Sequence, residues 1–285
     1  MTPDAGSSVA SFASGVLTLE SSGGVATLWL DRPEKGNAMG PAFWADLPEA
    51  VAAVDADPSV RALVVAARGR HFSVGLDLVA MGGVLAPLEG GAPTTPAARA
   101  RRVRAEIVRL QASITAVADC RVPVVAAIHG SCIGGGVDLA AACDIRLASA
   151  DAVLSVREAK VAIVADMGSL QRLPGIIGHG HVAELAYTGK DITAARAREI
   201  GLVNDVFADA DAVQAGASAL AGEIAGNSPL AVEGTKAVLA ASAGRSVTDG
   251  LEYVATWNAG FLASDDLTEA MTAFLEKRPP RYTGR

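Results

Sequence analysis

Apolar and polar positions alternate with period two over Val25–Leu30, where Val25, Thr27 and Trp29 oppose Ala26, Leu28 and Leu30. That spacing predicts a strand with two different faces. A second β-type run, Val16–Leu19, precedes it, and Ser21-Ser22-Gly23-Gly24 between them reads as a hairpin turn. Asp31–Asn37 is loop-like, and Ala42–Val54 carries helical spacing that Asp57-Pro58 closes. Leu63–Ala67 and Val122–Ile128 are continuous apolar runs, expected as buried strands. Ala97–Val117 is the clearest helix. Its Val103, Ile107, Leu110, Ile114 and Val117 recur at spacings of four and three, with arginines over most of the remaining surface. Gly82–Thr95 collects Gly, Pro and Thr and is expected to be a mobile connection. Gly134–Ala142 reads as a helix start, and Ile145–Ala148 and Ala152–Val156 as short strands.

From Gly168 onward β signals nearly vanish, and helical stretches follow over Val182–Tyr187, Ala194–Ile200, Ala210–Ala225, Leu230–Ala241, Val247–Leu262 and Leu267–Phe274. Asn227-Ser228-Pro229 is a helix N-cap with proline in the first turn. Strands interleaved with helices imply an α/β fold with mainly parallel pairing. The expected organisation is a β/α core over residues 1–200 and a helical region over 201–285. With 51% apolar and 19% charged residues among 285, intrinsic disorder is excluded. A net charge of −7 argues against nucleic-acid or anionic-membrane partners. No apolar run approaches the ~18 residues of a membrane span. Cys120, Cys132 and Cys143 are an odd number without a Cys-x-x-Cys pair, so neither a zinc site nor a disulfide framework is expected. A reducing, cytoplasmic compartment is the expectation, and Met1–Ser14 lacks the pattern of a signal peptide.

Three constellations could carry chemistry. His71–Leu78 leaves a strand, turns at Gly75 and enters a helical pattern, a place where free backbone N–H groups can face a developing oxyanion. In His129–Leu139, Gly134-Gly135-Gly136 follows a strand and opens a helix, so amide donors and the helix dipole favour negative charge. The third is the set of acids Asp138, Glu158 and Asp166, the last within Val161–Gly168, a segment with no other charge. Acids sharing a poorly hydrated pocket are driven toward one protonated and one ionised. Capping or pairing with Arg146, Arg157 or Lys160 would leave them without that role. Gly178-His179-Gly180-His181-Val182-Ala183 mimics a dinucleotide fingerprint, but no strand precedes it, and the two histidines lack further ligands at metal spacing.

Together these segments resemble the enoyl-CoA hydratase/isomerase (crotonase) family, from Leu28-Trp29-Leu30-Asp31-Arg32-Pro33 with Asn37-Ala38-Met39 to Phe274-Leu275-Glu276-Lys277-Arg278. The most specific stretches are Phe72–Leu78, Gly134–Asp144 and Gln171-Arg172-Leu173-Pro174. The resemblance implies a crotonase-like ββα superhelical core with a C-terminal helical trimerisation region, a homo-oligomer that is a trimer or dimer of trimers, an acyl-CoA thioester substrate, and neither metal nor redox cofactor. By motif position it implies an oxyanion hole from the amides of Leu76 and Gly135, around which Ser73, Val74, Gly75 and Asp77 bind substrate. Arg32, Lys35, Lys277 and Arg278 are candidates for the CoA phosphates. Hydratases of the family carry glutamates at the positions of Asp138 and Glu158. Here the first is a residue one methylene shorter, and Asp166 is an added acid. The set Asp138, Glu158, Asp166 resembles the Δ3,5-Δ2,4-dienoyl-CoA isomerases, which implies Glu158 and Asp166 as the acid/base pair and Asp138 as a tuning or orienting group. Which acid serves C2 and which C6 stays open, with Asp166 preferred at C2. Hydration of a 2-enoyl-CoA is the alternative, and a catalytically silent acyl-CoA-binding trimer a further one.

Overall fold

The computed structural model describes residues 8–12, 14–82 and 95–285, and all but the ends of the expected connection Gly82–Thr95 falls outside them. The alternating run becomes β3 (Val25–Leu30). It pairs antiparallel with β2 (Leu17–Ser22) through the predicted hairpin, and β1 (Ser8–Ser11) adds to the outer edge. Parallel pairing then continues through β4 (Ala62–Ala67), β5 (Val124–Ile128), β7 (Ile145–Ser149) and β10 (Asp205–Phe207), giving a seven-stranded sheet in the order β1-β2-β3-β4-β5-β7-β10. A second, three-stranded sheet holds β6 (Ser131–Ile133), β8 (Val153–Ser155) and β9 (Ile192–Thr193).

The chain repeats one unit: a long strand, a short strand or single bridge, then a helix. β3 leads through a bridge at Met39 to α1 (Pro41–Ala56). β4 leads through bridges at Ser73 and Leu76 to α2 (Pro96–Asp119). β5 and β6 lead to α3 (Gly135–Ala142). β7 and β8 lead through a 3-10 turn, Glu158–Val161, to α4 (Ser169–Ile177). Because the short strands bridge one another (Met39 with Leu76, Ser73 with Cys132, β6 with β8), successive turns stack into a spiral and their connecting turns share one side. This is the ββα superhelix expected from the sequence.

β4 explains why a run with no polar member is needed. All six of its residues are buried, Leu63, Val65 and Ala67 in the core under α1 and α2, and Ala62, Val64 and Ala66 in a second core on the opposite face. That second core is closed by α7 (Ala210–Ala225), which presents Val213, Ala217 and Ala221 at a spacing of four. Small side chains let it lie close to the sheet. Between α4 and α7 come α5 (His179–Thr188) and α6 (Ala194–Glu199). After α7 follow α8 (Pro229–Ser242), capped by Ser228 as expected, then α9 (Val247–Phe261) and α10 (Asp265–Glu276).

Five elements are not expected from the sequence, the short strands β1 and β6 among them. α4 was not expected because Pro174-Gly175 lies inside it. β9 and β10 are two and three residues long, and only their partners make them strands. The region after 200 is therefore not purely helical: β10 joins the main sheet and α7 covers it.

Arg146 ties α3 to the return of the chain. Its side chain is buried, and its Nε donates to the Leu202 carbonyl at 2.9 Å while Nη1 donates to Cys143 at 2.6 Å and Ala140 at 3.4 Å. It thus satisfies the carbonyls at the C-terminal end of the helix whose other end faces the site described below. Arg146→Met should leave those acceptors unpaired and lower stability by about 2–4 kcal/mol, read as a shift in the urea midpoint. A midpoint equal to that of the parent would show that the carbonyls find other donors.

Candidate active site

Two turns of the spiral meet along one wall. The segment after β4 is laced to β6, with Ser73 N donating to Ser131 O at 2.9 Å and Ile133 N to Ser73 O at 3.0 Å. At Gly75 the chain turns with φ +90°, and a side chain there would put a Cβ 2.7 Å from the Ile133 carbonyl oxygen, so only glycine fits. Met39 N donates to Gly75 O at 2.8 Å and Asp77 N to Met39 O at 3.1 Å, which fixes both sides of Leu76. The buried Ser73 Oγ donates to Asn37 O at 2.9 Å and accepts from Gly75 N at 3.1 Å. On the facing turn Gly134 has φ +52° and its N–H bonds to Ser155 O at 2.9 Å, while Val137 N and Asp138 N fold back on Gly134 O. Among the described residues the amides of Leu76 and Gly135 have no acceptor. Gly135 N lies 3.6 Å from where a Gly75 Cβ would stand, so the two free donors belong to one surface. Such a pair, with the dipole of α3 behind it, can hold an oxyanion.

The surface opens on a cavity of about 710 Å³ that both amides line. Trp44, Met81, Val103, Ile107 and Leu110 make part of its wall apolar. Val103 and Ile107 belong to the helical stripe that reads as core in the sequence, and in the structure that half of the stripe is cavity wall. Asp138, Glu158 and Asp166 line the same cavity. Asp138 is buried and its Oδ1 accepts from Ser169 N at 2.6 Å. Burial pushes its carboxyl up to about 6 against the effect of that bond, and the charge of Asp166 adds to the rise. Burial pushes Glu158 up to about 7, with the charges of Asp138 and Asp166 contributing. Its Oε2 is buried with no hydrogen-bond partner among the described residues. An unsatisfied buried carboxyl oxygen is rare in a native fold, and groups so perturbed cluster at functional sites. Burial also raises Asp166 above the ordinary range for aspartate. Among the described residues none of the three acids is ion-paired, so Arg146, Arg157 and Lys160 do not take them. Arg157 pairs instead with Asp191.

The structure therefore brings Val74, Gly75, Leu76, Gly135, Asp138, Glu158 and Asp166 to one cavity. Ser73 lies behind the wall and props the turn. Asp77 accepts from Ala80 N at 2.9 Å and pairs with Arg32 at 2.8 Å, and these partners hold it below the usual carboxylate range. Neither Arg32 nor Asp77 is part of the cavity wall, and Lys277 stands exposed at the end of α10. The sequence reading did not single out the Arg157–Asp191 pair or Glu106, which also border the cavity. The first joins residues by tertiary position and Glu106 pairs with Arg109 one helical turn on, and neither pairing has a motif. The three cysteines are buried and free.

Comparison with known proteins agrees with this geometry. Residues 20–285 match the family model described as enoyl-CoA hydratase/isomerase. The chain is 44% identical over 255 residues to a peroxisomal Δ(3,5)-Δ(2,4)-dienoyl-CoA isomerase of Arabidopsis thaliana, covering 90% of this chain and 91% of that one. It is likewise 44% identical over 252 residues to the mitochondrial enzyme of that name from Rattus norvegicus, covering 87% and 76%. Among solved structures, an enoyl-CoA hydratase from Bacillus anthracis superposes with a TM-score of 0.83 at 30% identity, over 98% of this chain and 99% of that one. A β-β-α spiral with two free amides where its turns meet, together with a sequence match over nearly the whole chain, has one meaning: the protein belongs to the enoyl-CoA hydratase/isomerase family.

Proposed function

We propose that the protein is an acyl-CoA isomerase that removes a proton from C2 of a 3,5-dienoyl-CoA and returns one at C6, giving the 2,4-dienoyl-CoA. The observation that carries this reading is the pair Glu158 and Asp166, two unpaired acids with raised pKa values on one cavity wall with the Leu76 and Gly135 amides. The relatives named as dienoyl-CoA isomerases support it. The superposition on a hydratase speaks to scaffold alone, since one fold hosts several reactions.

In the proposed mechanism the thioester oxygen lies between the two amides. The reactive form is the one with the proton moved from Glu158 to Asp166: ionised Glu158 takes the C2 proton, electrons move along the diene into a dienolate whose charge rests on that oxygen, and protonated Asp166 delivers a proton to C6. The electron pair of the old C5=C6 bond takes that proton, and the new double bonds stand at C2 and C4. The protein ends with its proton on Glu158 rather than Asp166, so its net charge is unchanged. Glu158 is assigned to C2 because its Oε1 lies 3.1 Å from where a Gly134 Cβ would stand, one residue from the Gly135 amide. Asp166 is tied to α2, whose Ile107 and Leu110 wall the apolar part of the cavity. This reverses the preference drawn from the sequence. Asp138 raises the proton affinity of Glu158 through its charge. The chemistry needs amides and carboxyls only, and CoA enters as part of the substrate. Lys277 is proposed as a contact for its phosphates on the strength of its charge in an acidic protein, whereas Arg32, the other candidate, is paired with Asp77.

A homo-oligomer, trimer or dimer of trimers, is proposed from the C-terminal helices, where Leu251, Phe261, Met271, Phe274 and Leu275 are exposed. No helix among the described residues is long and apolar enough to cross a membrane. Cytoplasmic placement is proposed from the three free thiols.

Asp166→Asn and Glu158→Gln should each lower kcat by roughly 10²–10⁴-fold with KM little changed, followed by the absorbance of the conjugated 2,4-dienoyl product. Full rate in Asp166→Asn would overturn the two-acid shuttle, and activity with a 2-enoyl-CoA alone would favour hydration.

The rate should depend on pH as a bell, because one member of the acid pair must be ionised and the other protonated. Removing the neighbouring negative charge with Asp138→Asn should move the limb set by Glu158, near pH 7, to lower pH. An unmoved profile would mean that Asp138 does not act on Glu158.

Burial of Glu158 also opposes folding at neutral pH. Its folded pKa is raised from 4.5 to about 7, so the penalty is absent below pH 4.5, grows between pH 4.5 and 7, and is fully present above 7. Glu158→Gln should therefore unfold on the order of 2–5 °C higher than the parent at pH 8, with the difference vanishing near pH 4.5. A lower Tm at pH 8 would show that the carboxylate stabilises the fold.

A further inference from the structure

We infer that Gln111 is a positioning residue for Asp166: from α2 its side-chain amide holds the backbone of the loop that carries the acid. The inference rests on the reading of Asp166 as a catalytic acid. Asp166 sits on no helix or strand. Between the 3-10 turn Glu158–Val161 and α4 the chain is irregular, with Ala162 in the left-handed region and Val164 75% exposed. A proton donor on such a segment must be held by something else, because misplacement by about 1 Å costs about 10²-fold in rate.

Gln111 Nε2 donates to the Asp166 carbonyl oxygen at 2.7 Å, a direct bond from a helix side chain to the acid's own backbone. Fixing that carbonyl restricts the backbone that aims the carboxyl, and the side-chain rotamer sets the rest. Thr115 stands one helical turn on from Gln111 and accepts from Arg172 Nη2 at 3.1 Å, while Arg172 Nη1 donates to the Met167 carbonyl at 3.3 Å. The Arg172 guanidinium lies across Gly168, where any side chain would collide with it. Asp138 takes the Ser169 N–H on the other side. Residues 166–169 are thus held from α2 and α3, and Gln111 is the member of this set that touches Asp166 itself. The flanking Leu110 and Ile107 line the cavity, so the helix that shapes the acyl wall also sets the acid.

The test is a double-mutant cycle on the intact protein with a 3,5-dienoyl-CoA as probe. Gln111→Met keeps the length of the side chain and removes the donor. It should lower kcat roughly 10–100-fold with KM changed less than about twofold and Tm nearly unchanged. In the Asp166→Asn background the same substitution should cost nothing more, because the group it positions is gone. Losses that multiply in the double variant, or a parental kcat in Gln111→Met, would overturn the inference. Full activity in Asp166→Asn would instead remove the mechanism on which it rests, so the two failures are distinct. Should Gln111→Met not fold, Gln111→Glu completes the same cycle, since an ionised carboxylate retains the size and cannot donate.

Discussion

Three carboxyl groups share one cavity wall and, among the described residues, none is paired with a cation; the rest of the site follows from that constraint. Three arginines are close in sequence or space, and each is engaged elsewhere. Arg146 spends its donors on the carbonyls of Leu202, Cys143 and Ala140. Arg157 is taken by Asp191, and Arg172 by Met167 and Thr115. A guanidinium paired with Glu158 or Asp166 would fix the carboxylate as an anion at every physiological pH. Left unpaired, Glu158 is pushed up to about 7 and Asp138 to about 6, and burial raises Asp166 above the ordinary aspartate range, so the acids compete for protons. The cost is borne by the fold, since ionised buried acids oppose folding.

The electrophilic half of the site is built by the opposite means. Its two amides are neutral, cannot titrate, and are held by main-chain bonds on both sides of Leu76 and Gly135. Their convergence comes from the spiral itself, because bridging Ser73 with Cys132 and Met39 with Leu76 forces the turns after β4 and β6 together. Glycine at 75 and at 134 is required by this contact: a Cβ on the first would strike the Ile133 carbonyl, and one on the second would crowd Glu158 Oε1.

Most of this frame was legible in the sequence. The glycine triplet, the Gly75 turn and the three acids all stand out by chemistry or by context, and the runs that form β3, β4, β5, α1 and α2 declare themselves by period. What was not legible depends on partners distant in the chain. β10 is three residues that become a strand only beside β7, and α4 is hidden by Pro174-Gly175. Periodicity also fails to separate core from cavity, as Val103 and Ile107 show. Gln111 carried no signal at all, because a glutamine among arginines on a helix looks like one more surface residue until the loop 166–169 is folded against it. Arg32 and Asp77 illustrate the reverse. Their residue types suggested substrate contacts, and the structure spends them on each other.

The division between a rigid amide wall and acids hung from a loop also explains how one scaffold separates two reactions. Hydration needs two acids that converge on a single water. Here the first acid is aspartate, and one of its oxygens is occupied by the Ser169 amide at 2.6 Å, so it faces α4 rather than a shared water. The third acid enters from the loop that this same bond helps to hold. On the proposed reading, aspartate at 138 does two things at once: it gives up the place of a water ligand and, through Ser169 N, secures the segment that brings Asp166 to the cavity. The spiral, the amides and Glu158 need not change. On the proposed reading, the choice between adding water and moving a proton along a diene is made at positions 138 and 166, while the carbonyl is activated in the same way for either.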